Sequence, residues 1–479
     1  MPNTLFKRRD FFKYSGLGLT GIAAPGIFTA CTGMSQSQRK IRDMITEKVF
    51  ATPFIDTHEH LMNESVRIDG GDEIWEKAND WTYLFSHYFD SDLAVAGLHW
   101  KDYDSFYKPG LSVSEKWKLF EPFLPYLKYT GYGQNVIISI NKLYGLEDIN
   151  AGNISLLDEM YHDFVAPGFY EKIIRGYSNI ESCQVNLWPF LESEQPGLLL
   201  SDLHISGMLE EAGNEEYSEK AGITVRNLSD WHSVIDWFFN WYGKWSVAVK
   251  CATAYSRNID FEKVPAEKVE KIFGKKIEGA VLSKADRKAL EDHLFWYCVD
   301  KATAMGLPVK VHTGYYAGWN GMPLERVAGN AAAACELCKL SPETKFDFFH
   351  ICYPYYEDLL AVAKQYPNAY MDMCWAWIIN PVAAKDFLKK FIVTVPLNKI
   401  FTFGGDYIPV ELVYGHSEIA RRGIALALSE LVEEGWISPD AALDITDHIM
   451  HGNARKLFNL EEKYELMKGL NWKELNGMV

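Results

Sequence analysis

The chain has 479 residues, 48% of them hydrophobic and 23% charged, with a formal net charge of −16. That composition excludes a disordered chain and a small disulfide-stapled domain, and the acidic field excludes nucleic acid as a general partner. The 15 Trp, 26 Tyr and 27 Phe suit clefts for organic or sugar-like ligands, although core packing claims most such side chains.

Residues 1–31 read as a targeting segment rather than part of the fold. Lys7-Arg8-Arg9-Asp10-Phe11-Phe12-Lys13 resembles a bacterial twin-arginine export signal, and a weakly apolar stretch from Leu17 to Ala30 follows. It ends in Phe28-Thr29-Ala30-Cys31, which resembles a lipoprotein processing site with Cys31 as the lipidated residue; a plain signal cleaved nearby is the alternative. The expectation is an exported protein, periplasmic or membrane-anchored in a bacterium. Residues 32–50 read as a linker running into a first helix, and 467–479 as a C-terminal tail.

An apolar run, Phe54-Ile55-Asp56-Thr57, delivers His58-Glu59-His60. On a strand, residues i and i+2 project from one face, so a His-x-His can aim two imidazoles at one point. A Trp- and Tyr-rich region with helical spacing, about 63–180, comes next. Strand-like runs follow at 182–188 and 198–203, then at Trp245–Lys250. Beyond Lys250 strands and helices alternate: Gly306–Gly314 with His312, Lys345–His350, Ala369–Cys374 with Asp372, and Lys399–Asp406. Between successive strand ends lie 38, 22 and 34 residues (His312, His350, Asp372, Asp406), each near the span of one βα unit. This pattern predicts an α/β chain, a (β/α)8 TIM barrel over 51–466, with a large, mainly helical insertion between strand 1 and strand 4. The eight cysteines show no small-domain disulfide spacing; Cys335-Glu336-Leu337-Cys338 follows an Ala run and reads as a buried helical pair.

Lys250, His312, His350, Asp406 and the His58/His60 pair all stand at carboxyl ends of predicted strands, where barrel enzymes keep their chemistry and where packing alone prefers Val, Ile and Leu. The pattern resembles the amidohydrolase superfamily, in particular its amidohydrolase-related branch. The matching contexts are Val311-His312-Thr313-Gly314, His350-Ile351-Cys352-Tyr353-Pro354, Phe403-Gly404-Gly405-Asp406 and the closing Gly452-Asn453-Ala454-Arg455. Tyr129-Thr130-Gly131 and Leu143-Tyr144-Gly145 resemble stretches of the uronate isomerases of that superfamily.

The resemblance implies a divalent metal, zinc first, as one or two ions. His58, His60, His312 and Asp406 would hold it, with His350 as acid–base partner or ligand of a second ion. Lys250 would bridge two ions if carbamylated. Asp406 would move the proton of the attacking water. Arg257, just past strand 4, is expected to clamp a substrate carboxylate and Tyr315 to line the pocket. The leading expectation is metal-dependent hydrolysis of an amide, ester or lactone of a small substrate. Non-oxidative decarboxylation and uronate isomerisation are the alternatives, with His350 arguing against the isomerase. A surface binding protein with a structural metal is the non-enzymatic alternative.

Overall fold

The computed structural model describes residues 35–70 and 78–477. The targeting segment, including Cys31, lies outside the described residues. The described residues from Ile41 onward form one compact unit, and residues 36–40 open helix Gln36–Ala51.

Within the compact unit the strands are β1 (Phe54–Glu59), β2 (Ile180–Val185), β3 (Leu199–Ser201, continued as Leu203–His204), β4 (Val249–Cys251), β5 (Val309–Val311), β6 (Phe346–Phe348), β7 (Ala369–Asp372) and β8 (Ile400–Phe401). Neighbours in this order pair in parallel: Phe54 with Ile180, Cys183 with Leu199, Leu203 with Val249, Val249 with Val309, Val309 with Phe346, Phe346 with Ala369, and Met371 with Ile400. The Val247 N–H donates to the Ser201 carbonyl at 3.0 Å, tying the two halves of β3 to β4. The last strand returns to the first: Thr57 N–H donates to the Phe403 carbonyl (3.0 Å), and Asp406 N–H to the His58 carbonyl (2.8 Å). These bonds join the eight strands into a ring, the expected α/β barrel.

Strands in such a barrel are buried on both faces, which explains apolar outer positions such as Val309, Val311, Phe346 and Phe348. The inward positions are polar. In Val309-Lys310-Val311-His312, Lys310 and His312 share a face because side chains alternate. The Lys310 ammonium, fully buried, donates to Thr57 O (2.8 Å), Gln184 Oε1 (2.6 Å) and both oxygens of Asp202 (2.8 and 3.0 Å).

The helical insertion sits wholly between β1 and β2, since β2 opens at Ile180. Its longest helix, Gly131–Tyr144, is capped by Thr130, whose hydroxyl accepts the Gly133 N–H, and ends at Gly145 in the left-handed conformation. Two buried contacts seat the insertion on the barrel. Arg67 grips Glu411 of helix Glu411–Glu433 through two bonds (2.8 and 3.2 Å), and Asn135 donates to the Tyr407 hydroxyl (2.7 Å). No helix among the described residues is long and apolar enough to cross a membrane. Cys335 and Cys338 are free thiols of helix Asn330–Leu340.

Helices Leu228–Tyr242 and Lys284–Ala304 are latched by His232 and His293, Nε2 to Nε2 at 2.9 Å. His293 donates its Nδ1–H to the Val264 carbonyl (2.8 Å), so its Nε2 accepts and His232 donates. Burial, then the His293 charge, pushes His232 down to about 4. Its folded pKa lies below the unfolded value of about 6.5, so the unfolded chain binds more protons in acid. Stability from this latch is therefore full above about pH 6.5 and is lost as pH falls towards about 4. His232→Gln should flatten the decline of unfolding free energy between about pH 7 and 5; an unchanged slope would count against the latch.

Candidate metal centre

His58 of β1, His60 just past its end and Asp406 in a turn after β8 build the centre. His58 Nε2 and His60 Nε2 each lie 3.2 Å from Asp406 Oδ1. Asp406 sits at φ +61°, a conformation Asp tolerates better than most residues. The two preceding glycines are there for space: a Cβ on Gly405 would lie 1.8 Å from Glu59 Oε1, and one on Gly404 would lie 2.9 Å from Thr57 Oγ1. Asp56 and Glu59 hold this turn against β1, Asp56 Oδ1 accepting the His58 and Gly405 N–H groups and Glu59 Oε2 accepting the Tyr407 N–H. Burial pushes both carboxyls up, Asp56 to about 7. Glu59, between the two histidines, thus serves the backbone.

His350 and His312 form the neighbouring wall, His350 Nε2 lying 3.0 Å from His312 Nδ1 and 3.9 Å from Asp406 Oδ2. His350, Ile351 and Cys352 all have positive φ (62°, 49° and 54°) and Trp375 has 65°, strained backbone of order 1–3 kcal/mol each that a functional site retains.

The hydrogen bonds fix most of the tautomers. His60 Nδ1 lies 3.0 Å from the Asn186 carbonyl, His312 Nε2 3.0 Å from the Tyr315 carbonyl, and His350 Nδ1 2.9 Å from the Cys374 carbonyl. A carbonyl only accepts, so each of these nitrogens carries the proton and the opposite nitrogen a lone pair. His60 Nε2 then presents a lone pair to a carboxylate oxygen, and His312 Nδ1 and His350 Nε2 present lone pairs to each other. Such a cluster repels itself unless a cation lies within it. A proton is disfavoured: burial, with nearby charge, holds His312 well below the usual imidazole range and His350 down to about 4. The donor set therefore fits a divalent ion, with His58, His60 and Asp406 converging within 4.8 Å. His312 faces His350 rather than that triad.

Burial alone would raise the Asp406 carboxyl, yet the His58 and His60 imidazoles beside it hold it well below the usual range, so it is ionised. Lys250 is buried, its Nζ 3.6 Å from the Phe349 ring centroid and without a hydrogen-bond partner; burial lowers its pKa.

A cavity of about 980 Å³ opens onto these groups, at the upper end of small-molecule sites. Tyr255, not Tyr315, lines it, its ring 4.6 Å from that of His312; the Tyr315 contribution is its backbone carbonyl. Arg257 does not line the cavity. Its guanidinium is held by Asp292 (2.7 Å), Glu291 (3.3 Å) and Asp260 (3.3 Å). Arg257→Lys should therefore leave KM for substrate unchanged and lower the melting temperature; a raised KM with unchanged stability would restore the clamp.

Sequence reasoning passed over several lining residues. Tyr88, from the insertion, stacks on Trp375 at 4.4 Å and lines the cavity with Asp406; burial, then the Asp406 charge, keeps its phenol protonated. His204 ends β3 as the other histidines end theirs, and accepts the Trp188 indole N–H (2.6 Å) while its Nδ1 meets Asn186 Oδ1 (2.9 Å). The strand-end rule could have found His204. Tyr88 carries no comparable local signal. His87 also lines the cavity; His99 caps helix Trp100–Tyr107, and His416 lies buried with its Nδ1 3.1 Å from the Gly405 carbonyl.

Residues 246–460 match the family model described as amidohydrolase. Among solved structures, a glucuronate isomerase from Caulobacter crescentus superposes with a TM-score of 0.71 at 13% identity, covering 89% of this chain and 95% of that one. A uronate isomerase from Thermotoga maritima gives 0.69 at 13% identity, covering 88% and 97%. The protein fluG of Emericella nidulans is 23% identical over 229 residues, which are 45% of this chain and 26% of that protein, so the chain spans about a quarter of that relative's length. Residues 246–460 are thus similar to the amidohydrolase family, and the chain shares its (β/α)8 fold with these solved isomerases.

Proposed function

We propose that the protein is a zinc-dependent hydrolase cleaving an amide, ester or lactone bond of a small organic substrate. The observation that carries this reading is the ionised Asp406 carboxylate, ringed by imidazole lone pairs at the floor of an open cavity. His58, His60 and Asp406 would hold a divalent ion, which would supply a water of pKa lowered towards about 7 and polarise a carbonyl. Imidazole and carboxylate donors suit zinc. The Asp406 carboxylate takes the proton of the attacking water and passes it to the leaving group.

No arginine is among the described residues lining the cavity, whereas Asp90, Glu210, Glu211 and Glu216 line it against Lys220 and Lys250. That field favours a neutral or cationic substrate over a free carboxylate. The fold likeness to uronate and glucuronate isomerases supports sugar-acid isomerisation as the second reading. Incubating the metal-loaded protein with lactones, amides, uronates and hydroxybenzoates separates the cases. Acid release supports hydrolysis, while aldose–ketose interconversion or carbon dioxide release would replace it. No turnover at full metal loading would indicate a binding protein. Export follows from residues 7–31, and the mass of the mature N-terminus tests it, a diacylglycerol on Cys31 being the lipoprotein outcome.

A further inference from the structure

We propose that Cys374 supplies a thiolate ligand to a divalent ion held with His350 and Asp406, beside the ion position at His58 and His60. The inference rests on the metal reading above and deepens it. The ligand atoms of His350, Cys374 and Asp406 lie within 4.8 Å of one another, as do those of His58, His60 and Asp406. Asp406 belongs to both groups through different oxygens, Oδ1 facing His58 and His60 at 3.2 Å and Oδ2 facing His350 at 3.9 Å. The three residues follow β6, β7 and β8, consecutive staves of the barrel.

Three further features point to a ligand at this place. His350 is 1% exposed and donates from Nδ1 to the Cys374 carbonyl, so its Nε2 lone pair turns inward with no donor to meet it. Lys250, 2% exposed, brings an Nζ without a hydrogen-bond partner to the same cavity floor. Gly404 makes room for the sulfur: a Cβ there would lie 2.9 Å from Cys374 Sγ and 2.7 Å from its Cβ. Cys374 is itself fully buried and free of any disulfide, so surface oxidation chemistry does not explain it. A thiolate beside imidazole and carboxylate selects zinc or cobalt over magnesium, calcium or manganese.

The test strips the full-length protein with a chelator and reloads it with cobalt(II). The wild type should bind about two equivalents and show the intense near-ultraviolet thiolate-to-cobalt charge-transfer absorption. Cys374→Ser and Cys374→Ala should lose that absorption and about one equivalent, while His60→Ala should lose the other equivalent and keep the absorption. A fully loaded wild type without the absorption overturns the inference, and needs no variant to do so; absorption persisting in Cys374→Ser also overturns it. If one equivalent binds, without the absorption, and is lost in His60→Ala, only the thiolate fails and the hydrolase reading stands. If no form binds cobalt, both fail.

Discussion

Asp406→Asn should lower turnover by about 10³-fold or more with the fold intact. Asparagine preserves the shape of the side chain and, like aspartate, tolerates the left-handed backbone at φ +61°. It removes the negative charge that the His58 and His60 side chains face at 3.2 Å, and with it the proton acceptor and a metal ligand. Steady-state kinetics beside circular dichroism and metal content would check this. A variant retaining full metal and activity within about tenfold of wild type would remove Asp406 from the chemistry.

Lys310→Met is expected to destabilise the protein by about 3–5 kcal/mol, the usual cost of breaking a buried ion pair from one side. Lys310 and Asp202 are both fully buried, 2.8 Å apart. Burial raises the Asp202 carboxyl and the Lys310 charge opposes that rise, so the variant strands an anion in the barrel. Thr57 and Gln184 lose their donor as well. A second substitution, Asp202→Leu, should restore most of the loss, because the penalty is the unpaired charge rather than the missing attraction. Denaturant unfolding of the two single variants and the double variant reads both effects, and a loss under about 1 kcal/mol in Lys310→Met would show that water reaches the barrel interior.

His58, His60, Lys250, His312, His350 and Asp406 were legible before any coordinates because each interrupts an apolar run where packing would place another Val, Ile or Leu. That signal is local: a strand buried on both faces has no packing use for a histidine at its end. The same locality explains the misplacement of Arg257. Its position after β4 is right for a substrate clamp, but Glu291 and Asp292 of helix Lys284–Ala304 hold it, and nothing near Arg257 in the chain announces them. Tyr315 likewise stands on the expected loop, yet its carbonyl rather than its ring serves the site.

Residue order alone thus set the barrel, the place of the insertion and the metal-type side chains, since each follows from periodicities of two and 3.6 residues and from residues that packing would not choose. Which side chains converge was decided by long-range closure. The Arg67–Glu411 pair spans 344 residues and seats the insertion that delivers Tyr88 to Asp406, and the β8-to-β1 bonds bring Asp406 to His58. Cys374 shows the same division, its approach to His350 and Asp406 depending on the spacing of three staves and on the missing Cβ of Gly404. Contacts of that kind depend on distances through space, which no periodicity along the chain encodes.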